Sequence, residues 1–83
     1  MTGRVYLLDD HEIVRRGLRE LLELEEDIDI VGESGSAEEA MRRIPALRPD
    51  VAILDARLPD GSGIEVCRQV RAVDPNIVGL ILT

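Results

Sequence analysis

Three carboxylates in this chain stand where chemistry could use them. Asp55 follows the apolar run Val51-Ala52-Ile53-Leu54, and the pair Asp9-Asp10 follows a second run, Val5-Tyr6-Leu7-Leu8. In an open parallel α/β sheet the carboxyl ends of the strands frame the binding crevice, so two strand ends deliver three acids to one rim. Carboxylates gathered in this way repel one another unless a hard cation neutralises them, and Mg²⁺ suits a few oxygen ligands plus water and phosphate. An aspartate beside such a cation can attack a phosphoryl group to give an acyl phosphate. Asp55 is the candidate nucleophile, and Thr83, at the tip of a third apolar run, is a candidate hydrogen-bond donor to the phosphoryl oxygens. Any one of these acids alone would read as a turn or helix-capping residue; their joint placement argues for the site.

The elements that must position these residues follow from apolar periodicity. A strand from Arg4 to Leu8 leads through Asp9-Asp10-His11 into a helix with Ile13, Val14, Gly17, Leu18, Leu21 and Leu22 expected on its inner face. Ile28 to Glu33 alternates apolar with small or charged residues and reads as an edge strand. Ser36 with Glu39 forms a capping box for a second helix that turns Ala37, Ala40, Met41, Ile44 and Leu47 inward, and Arg48-Pro49-Asp50 marks the following turn. Val51 to Leu54 is a buried strand, and Pro59, Gly61 and Gly63 keep the next segment a loop. A third helix starts near Gly63, presents Ile64, Cys67, Val70 and Val73, and stops before Pro75; Ile77 to Leu82 is the fourth strand. The βαβαβαβ alternation predicts an α/β doubly wound parallel sheet in the order 2-1-3-4, with helix one on one face and helices two and three on the other. One face of strands three and four is then left bare.

Composition limits what such a site can serve. With 83 residues, 45% of them hydrophobic and 33% charged, the chain is at most one globular domain, residues 1–83. A formal net charge of -7 argues against direct nucleic-acid binding and against binding to an anionic membrane surface. All basic residues are arginines, and Cys67 stands alone, so no intrachain disulfide forms and a reducing cytoplasm suits the chain. Met1-Thr2-Gly3-Arg4 leads into the first strand without a signal-peptide apolar region, and no run reaches membrane-spanning length. His11, lone at a helix start, reads as structural or solvent-facing, and Cys67 as a buried small hydrophobe. Arg15, Arg16 and Arg19 could meet an acidic partner, but Glu12–Arg16, Arg16–Glu20 and Arg19–Glu23 stand at i, i+4 spacing, and a self-paired solvated face is the stronger reading.

Leu8-Asp9-Asp10-His11 with Val14-Arg15-Arg16-Gly17-Leu18, Asp55 with Leu58-Pro59 and Gly61-Ser62-Gly63, and Thr83 together resemble the receiver domain of two-component response regulators, particularly the NarL/FixJ type. The resemblance implies a flavodoxin-like (CheY-like) fold and phosphorylation of Asp55 by a histidine kinase. It also implies Mg²⁺ held by Asp10, Asp55 and the backbone carbonyl of Arg57, with Asp9 acting through a water, and Thr83 as the switch residue. A complete receiver of this kind continues through a helix, strand and helix and carries a phosphoryl-pairing lysine. The chain has no lysine, so the resemblance implies a receiver truncated after the fourth strand, without its DNA-binding transcription regulator domain. Such a chain is expected to self-associate through the open edge of strand four. The alternative is a non-switching truncated receiver acting as a docking or structural module.

Other chemistries fit less well. A dinucleotide site needs glycines after strand one, where this chain has Asp9-Asp10-His11. A haloacid-dehalogenase-like phosphatase needs an aspartate two residues after the nucleophile to protonate the leaving group, and that position is Arg57, which cannot act as a general acid at neutral pH. The expectation is therefore a phosphoacceptor, able to catalyse its own phosphorylation and dephosphorylation, and not an enzyme that turns over phosphate esters.

Overall fold

The computed structural model describes residues 3–83, so the expectation for Met1 and Thr2 lies outside the described residues. Its elements are β1 (Gly3–Leu8), α1 (Glu12–Glu23), β2 (Ile28–Ser34), α2 (Ala37–Leu47), β3 (Val51–Asp55), α3 (Gly63–Val73) and β4 (Val78–Leu82). The strands pair in parallel in the order β2-β1-β3-β4, as the alternation of elements predicts. Leu8 is level with Ser34 and Leu54, and Asp55 with Leu82, so the C-terminal ends of all four strands form one rim.

Helices α2 and α3 cover one face of the sheet. Tyr6, Leu8, Ala52 and Leu54 from β1 and β3 meet Ala37, Ala40 and Ile44 of α2, Val66 and Val70 of α3, and Ile77 in one dry core. Tyr6 is the sole aromatic residue of the chain and is fully buried. Its hydroxyl donates to Ser34 Oγ at 2.8 Å, which satisfies both polar atoms, and the Arg43 guanidinium lies over its ring at 5.8 Å. Burial pushes the Tyr6 phenol above its ordinary pKa.

Ser36 caps α2 by accepting the Glu39 N–H at 3.1 Å. The capping box is half-formed, because the Glu39 carboxylate turns instead to Arg43 at 3.2 Å. Pro45 lies inside α2 without breaking it; the helix ends two residues later, where Arg48 takes a left-handed conformation (φ 52°) and its N–H closes on Ile44 O. Pro49 disfavours the right-handed helical conformation at Arg48 and so stops α2 there.

The third helix is rotated from its predicted phase. Gly63, Val66 and Val70 are its buried residues, whereas Ile64 and Val73 are exposed. At 3.6 residues per turn, positions nine apart stand about 180° around the helix, so Ile64 and Val73 cannot share a face. Cys67 does pack against the core, half-buried beneath Gly79 of β4, where a Cβ would strike its sulfur.

Among the described residues the other face carries α1 alone, resting on β1 and β2. No residue of α1 is buried, and Ile13 and Leu21 are 86% and 65% exposed, against the inward placement their spacing predicts. The helix turns Arg15, Leu18, Arg19 and Leu22 towards the protein instead. Arg15 and Arg19 both pair with Glu33 of β2, at 3.1 and 2.6 Å, so α1 is anchored by charge along the side that touches the sheet. Among the i, i+4 pairs, Arg16–Glu20 and Arg19–Glu23 form at 3.9 Å and Glu12–Arg16 does not. Val78, Leu80 and Leu82 of β4 point away from α3 and are exposed, which is the bare face expected for the outer strands.

Candidate functional site

β1 ends in an acidic turn that the backbone holds in place. Asp9 is buried, and its Oδ1 accepts the N–H of His11 at 2.8 Å while its own N–H donates to Ser34 O. Arg15 reaches back from α1 to donate to the Asp9 carbonyl at 2.6 Å. Gly35 makes room for this contact, since a Cβ there would stand 3.0 Å from the Arg15 guanidinium. Asp10, next along, is exposed to solvent.

Asp55 is the last residue of β3, and its Oδ1 accepts the Arg57 N–H at 3.3 Å. The loop after it is pinned on three sides. Ala56 N–H donates to Leu82 O at the end of β4, Leu58 and Gly61 exchange backbone hydrogen bonds, and Gly63 N–H donates to Ala56 O. A side chain at Gly63 would run into the backbone carbonyl of Asp55, so a glycine is required where α3 starts against the strand end. Asp60 ties the loop to α2, its two oxygens accepting the N–H groups of Ala37 at 2.8 Å and Glu38 at 3.1 Å. Those two donors, at the positive end of the helix dipole, hold the Asp60 carboxyl below the usual carboxylate range.

The rim brings Asp9, Asp10 and Asp55 together: one donor atom from each, with His11 Nδ1, lies within 4.8 Å of the others. Arg57 and Thr83 line the same hollow of about 520 Å³ as Asp55, Ala56 and His11, enough for a phosphoryl group and a hydrated ion. Asp9, Asp10 and Asp55 therefore converge, and Thr83 lines the hollow that Asp55 and His11 share. His11, read from sequence as structural or solvent-facing, is 66% exposed and stands beside all three acids. Its Nδ1 stands 2.8 Å from Asp9, 3.3 Å from Asp10 and 3.8 Å from Asp55. The hydrogen bond to Asp9 and the charges of Asp10 and Asp9 raise its pKa. Its position directly after the acid pair was the available signal.

Among the described residues no arginine forms an ion pair with these three carboxylates, so their charge is left for a cation or for His11 to balance. Three carboxylates at one end of a parallel sheet suit a divalent ion in chemistry and spacing. No helix of the described residues is long and apolar enough to cross a membrane.

Comparison with known proteins accords with this geometry. Residues 5–83 match the response regulator receiver domain family. The chain is 59% identical over 80 residues to the DNA-binding transcriptional activator DevR/DosR of Mycobacterium tuberculosis, an alignment covering 96% of this chain and 37% of that protein. It superposes with a TM-score of 0.91 and 40% identity on a LuxR-family two-component response regulator from Aurantimonas sp., covering 98% of this chain and 58% of that one. The isolated REC domain of RcsB from Salmonella enterica serovar Typhimurium, determined in the presence of the phosphomimetic BeF3-, gives a TM-score of 0.91 at 30% identity, covering 100% of this chain and 62% of that one. The chain thus spans 37 to 62% of the length of these relatives, and it belongs to the response regulator receiver domain family.

Proposed function

We propose that Asp55 is the phosphoacceptor of this receiver and takes its phosphoryl group from a phosphohistidine of a sensor histidine kinase. The observation that carries this reading is the cluster of Asp9, Asp10 and Asp55 beside the hollow that Thr83 also lines. An Asp55 oxygen attacks phosphorus in line with the leaving nitrogen; the O–P bond forms as the N–P bond breaks, and the electron pair leaves with the imidazole, which takes a proton from water. Thr83 donates a hydrogen bond to a phosphoryl oxygen as charge spreads over the equatorial positions. Asp10, Asp55 and the Arg57 carbonyl, with Asp9 through a water, are the oxygen donors for Mg²⁺. Bound there, that ion would neutralise the carboxylates and the incoming phosphoryl charge.

Arg57 leaves the site without a general acid two residues after the nucleophile, so the chain is read as a phosphoacceptor that catalyses only its own phosphorylation and dephosphorylation. The RcsB domain was determined with a phosphomimetic, which supports a phosphoryl-binding role here. DevR/DosR is a DNA-binding transcriptional activator, and we take this receiver to control such a domain in a longer cytoplasmic protein. With a net charge of -7, the receiver segment itself does not hold DNA.

Incubation with acetyl phosphate and Mg²⁺ tests the assignment by intact mass. One phosphoryl adduct should form, disappear on chelation and be absent from Asp55→Asn. An adduct that survives either treatment places the chemistry elsewhere, and no adduct in the unaltered chain favours a docking module.

The 83-residue chain should also self-associate through the β4 edge, because Val78, Leu80 and Leu82 lie exposed on an edge strand whose outer side has no neighbour among the described residues. Light scattering should show dimers or larger species that Leu80→Glu disperses. A monodisperse monomer at high concentration would remove this partner from the reading.

A further inference from the structure

We propose that Arg15 is a positioning residue for the acidic site: its guanidinium holds the peptide that joins Asp9 to Asp10 and so presets Asp10 for Mg²⁺. The proposal rests on the reading of Asp10 as a metal ligand and adds a residue that acts only through the backbone.

The contact runs backwards along the chain. Arg15 stands in the first turn of α1, where its backbone N–H donates to His11 O at 2.9 Å, and its side chain returns past that turn to donate to Asp9 O at 2.6 Å. A peptide unit is planar, so fixing the Asp9 carbonyl also fixes the direction in which Asp10 leaves it. The other bonds of the turn hold its flanks, Asp9 N–H on Ser34 O and His11 N–H on Asp9 Oδ1. Asp10 Oδ1 stands 3.3 Å from the ring of His11, which is itself 66% exposed, so the aim of this carboxylate depends on the backbone beneath it.

Charge makes that support matter. Carboxylates gathered without an ion repel one another and push the turn open. A turn that is already held shut does not have to be ordered when the ion arrives. An unbalanced guanidinium at this distance would repel a dication, but Arg15 Nε also donates to Glu33 Oε1 at 3.1 Å, so the grip comes with its charge balanced. Arginine reaches both acceptors because its nitrogens form a rigid planar fork, which the single ammonium of lysine does not reproduce. Arg19 serves as an internal control. It holds the second oxygen of Glu33 at 2.6 Å and also pairs with Glu23, so it anchors the same helix to the same carboxylate without reaching the acidic turn.

The 83-residue chain is titrated with Mg²⁺ by calorimetry alongside Arg15→Met, Arg15→Lys, Arg19→Met and Asp10→Asn, with circular dichroism to confirm that each is folded. Nitrogen-15 spectra of the metal-free proteins give a second readout, because the Asp10 amide nitrogen is conjugated to the Asp9 carbonyl and senses its hydrogen bond. Mg²⁺ affinity should fall about tenfold or more in both Arg15 variants, and their Asp10 amide nitrogen should move upfield. Arg19→Met should bind Mg²⁺ as the unaltered chain does and leave that resonance in place, since Glu33 then still holds Arg15. If Arg15→Met fails to fold, Arg15→Lys decides the question alone. Arg15 variants that keep full Mg²⁺ affinity while Asp10→Asn loses it overturn the role of Arg15 and leave the carboxylate site standing. An equal loss in Arg19→Met also overturns it, because the effect is then general anchoring of α1. If Asp10→Asn binds Mg²⁺ as the unaltered chain does, the carboxylate site fails, and this proposal with it.

Discussion

The two faces of the sheet hold their helices by different means. On one, α2 and α3 bury Ile44, Val66, Val70 and Ile77 against Tyr6, Leu8 and Leu54, and apolar contact does the work. On the other, α1 has no buried residue and is tied down by Arg15 and Arg19 on Glu33 and by Arg15 on the Asp9 carbonyl. The difference matters for the site, because the acidic turn leads directly into α1 whereas Asp55 hangs from a strand sealed into the core. Val5 and Leu7 of β1, which alternate with Tyr6 and Leu8 and so face α1, are nonetheless buried on this side, and Leu18 and Leu22 turn towards them. One wall of the site is thus fixed by hydrophobic burial alone and the other by a smaller apolar contact reinforced by charge.

The sharpest way to break that contrast is to truncate one leucine on each side. Leu54→Ala removes a fully buried side chain beneath Asp55 and should cost about 2–5 kcal/mol in urea unfolding. Leu21→Ala, on the exposed side of α1, should stay within about 0.5 kcal/mol. Comparable losses at the two positions would mean that α1 is buried in solution by an element that covers it.

Glu33→Gln tests the charged anchor. It leaves Arg15 and Arg19 without their shared carboxylate, and because the group is about a quarter exposed the cost should be about 1–2 kcal/mol, shrinking as salt is raised. Weakened Mg²⁺ binding should accompany it, since Arg15 also grips the Asp9 carbonyl. A loss that is indifferent to salt would show that Glu33 acts by shape and not by charge.

These contrasts explain what could be read from sequence. Strand order and the meeting of Asp9, Asp10, Asp55 and Thr83 were legible because apolar runs end at acids and the handedness of parallel crossovers leaves one arrangement. The inner face of α1 was misjudged because periodicity reports a stripe and not what covers it; Val14 and Leu21 sit in the stripe and still face solvent. In α3, steps of three residues from Ile64 drift around the helix, and Val66 was missed. His11 and Asp60 escaped for another reason. Asp55 and the first amides of α2 are brought to them by the tertiary fold and leave no mark in local spacing, although Asp9 and Asp10 directly precede His11.

Asp60 offers the smallest effect and the most specific test, because it joins the loop of the site to the hydrophobically held helix α2. Its carboxyl is held below its ordinary value by the Ala37 and Glu38 amides, so its stabilisation is fully present above the unfolded carboxylate pKa of about 3.9 and fades as pH falls through the lower folded value. Asp60→Asn keeps one acceptor oxygen and loses the charge, which is also what protonation does to the native side chain. The variant should therefore melt a few degrees lower at pH 7, and the gap should close below about pH 4 as the native Asp60 becomes protonated. Because both proteins carry every other carboxylate, the difference between their melting curves isolates this group from general acid unfolding. A gap that persists unchanged to pH 3 would mean that the Asp60 charge contributes nothing and that the clamp on α2 depends on a single neutral hydrogen bond.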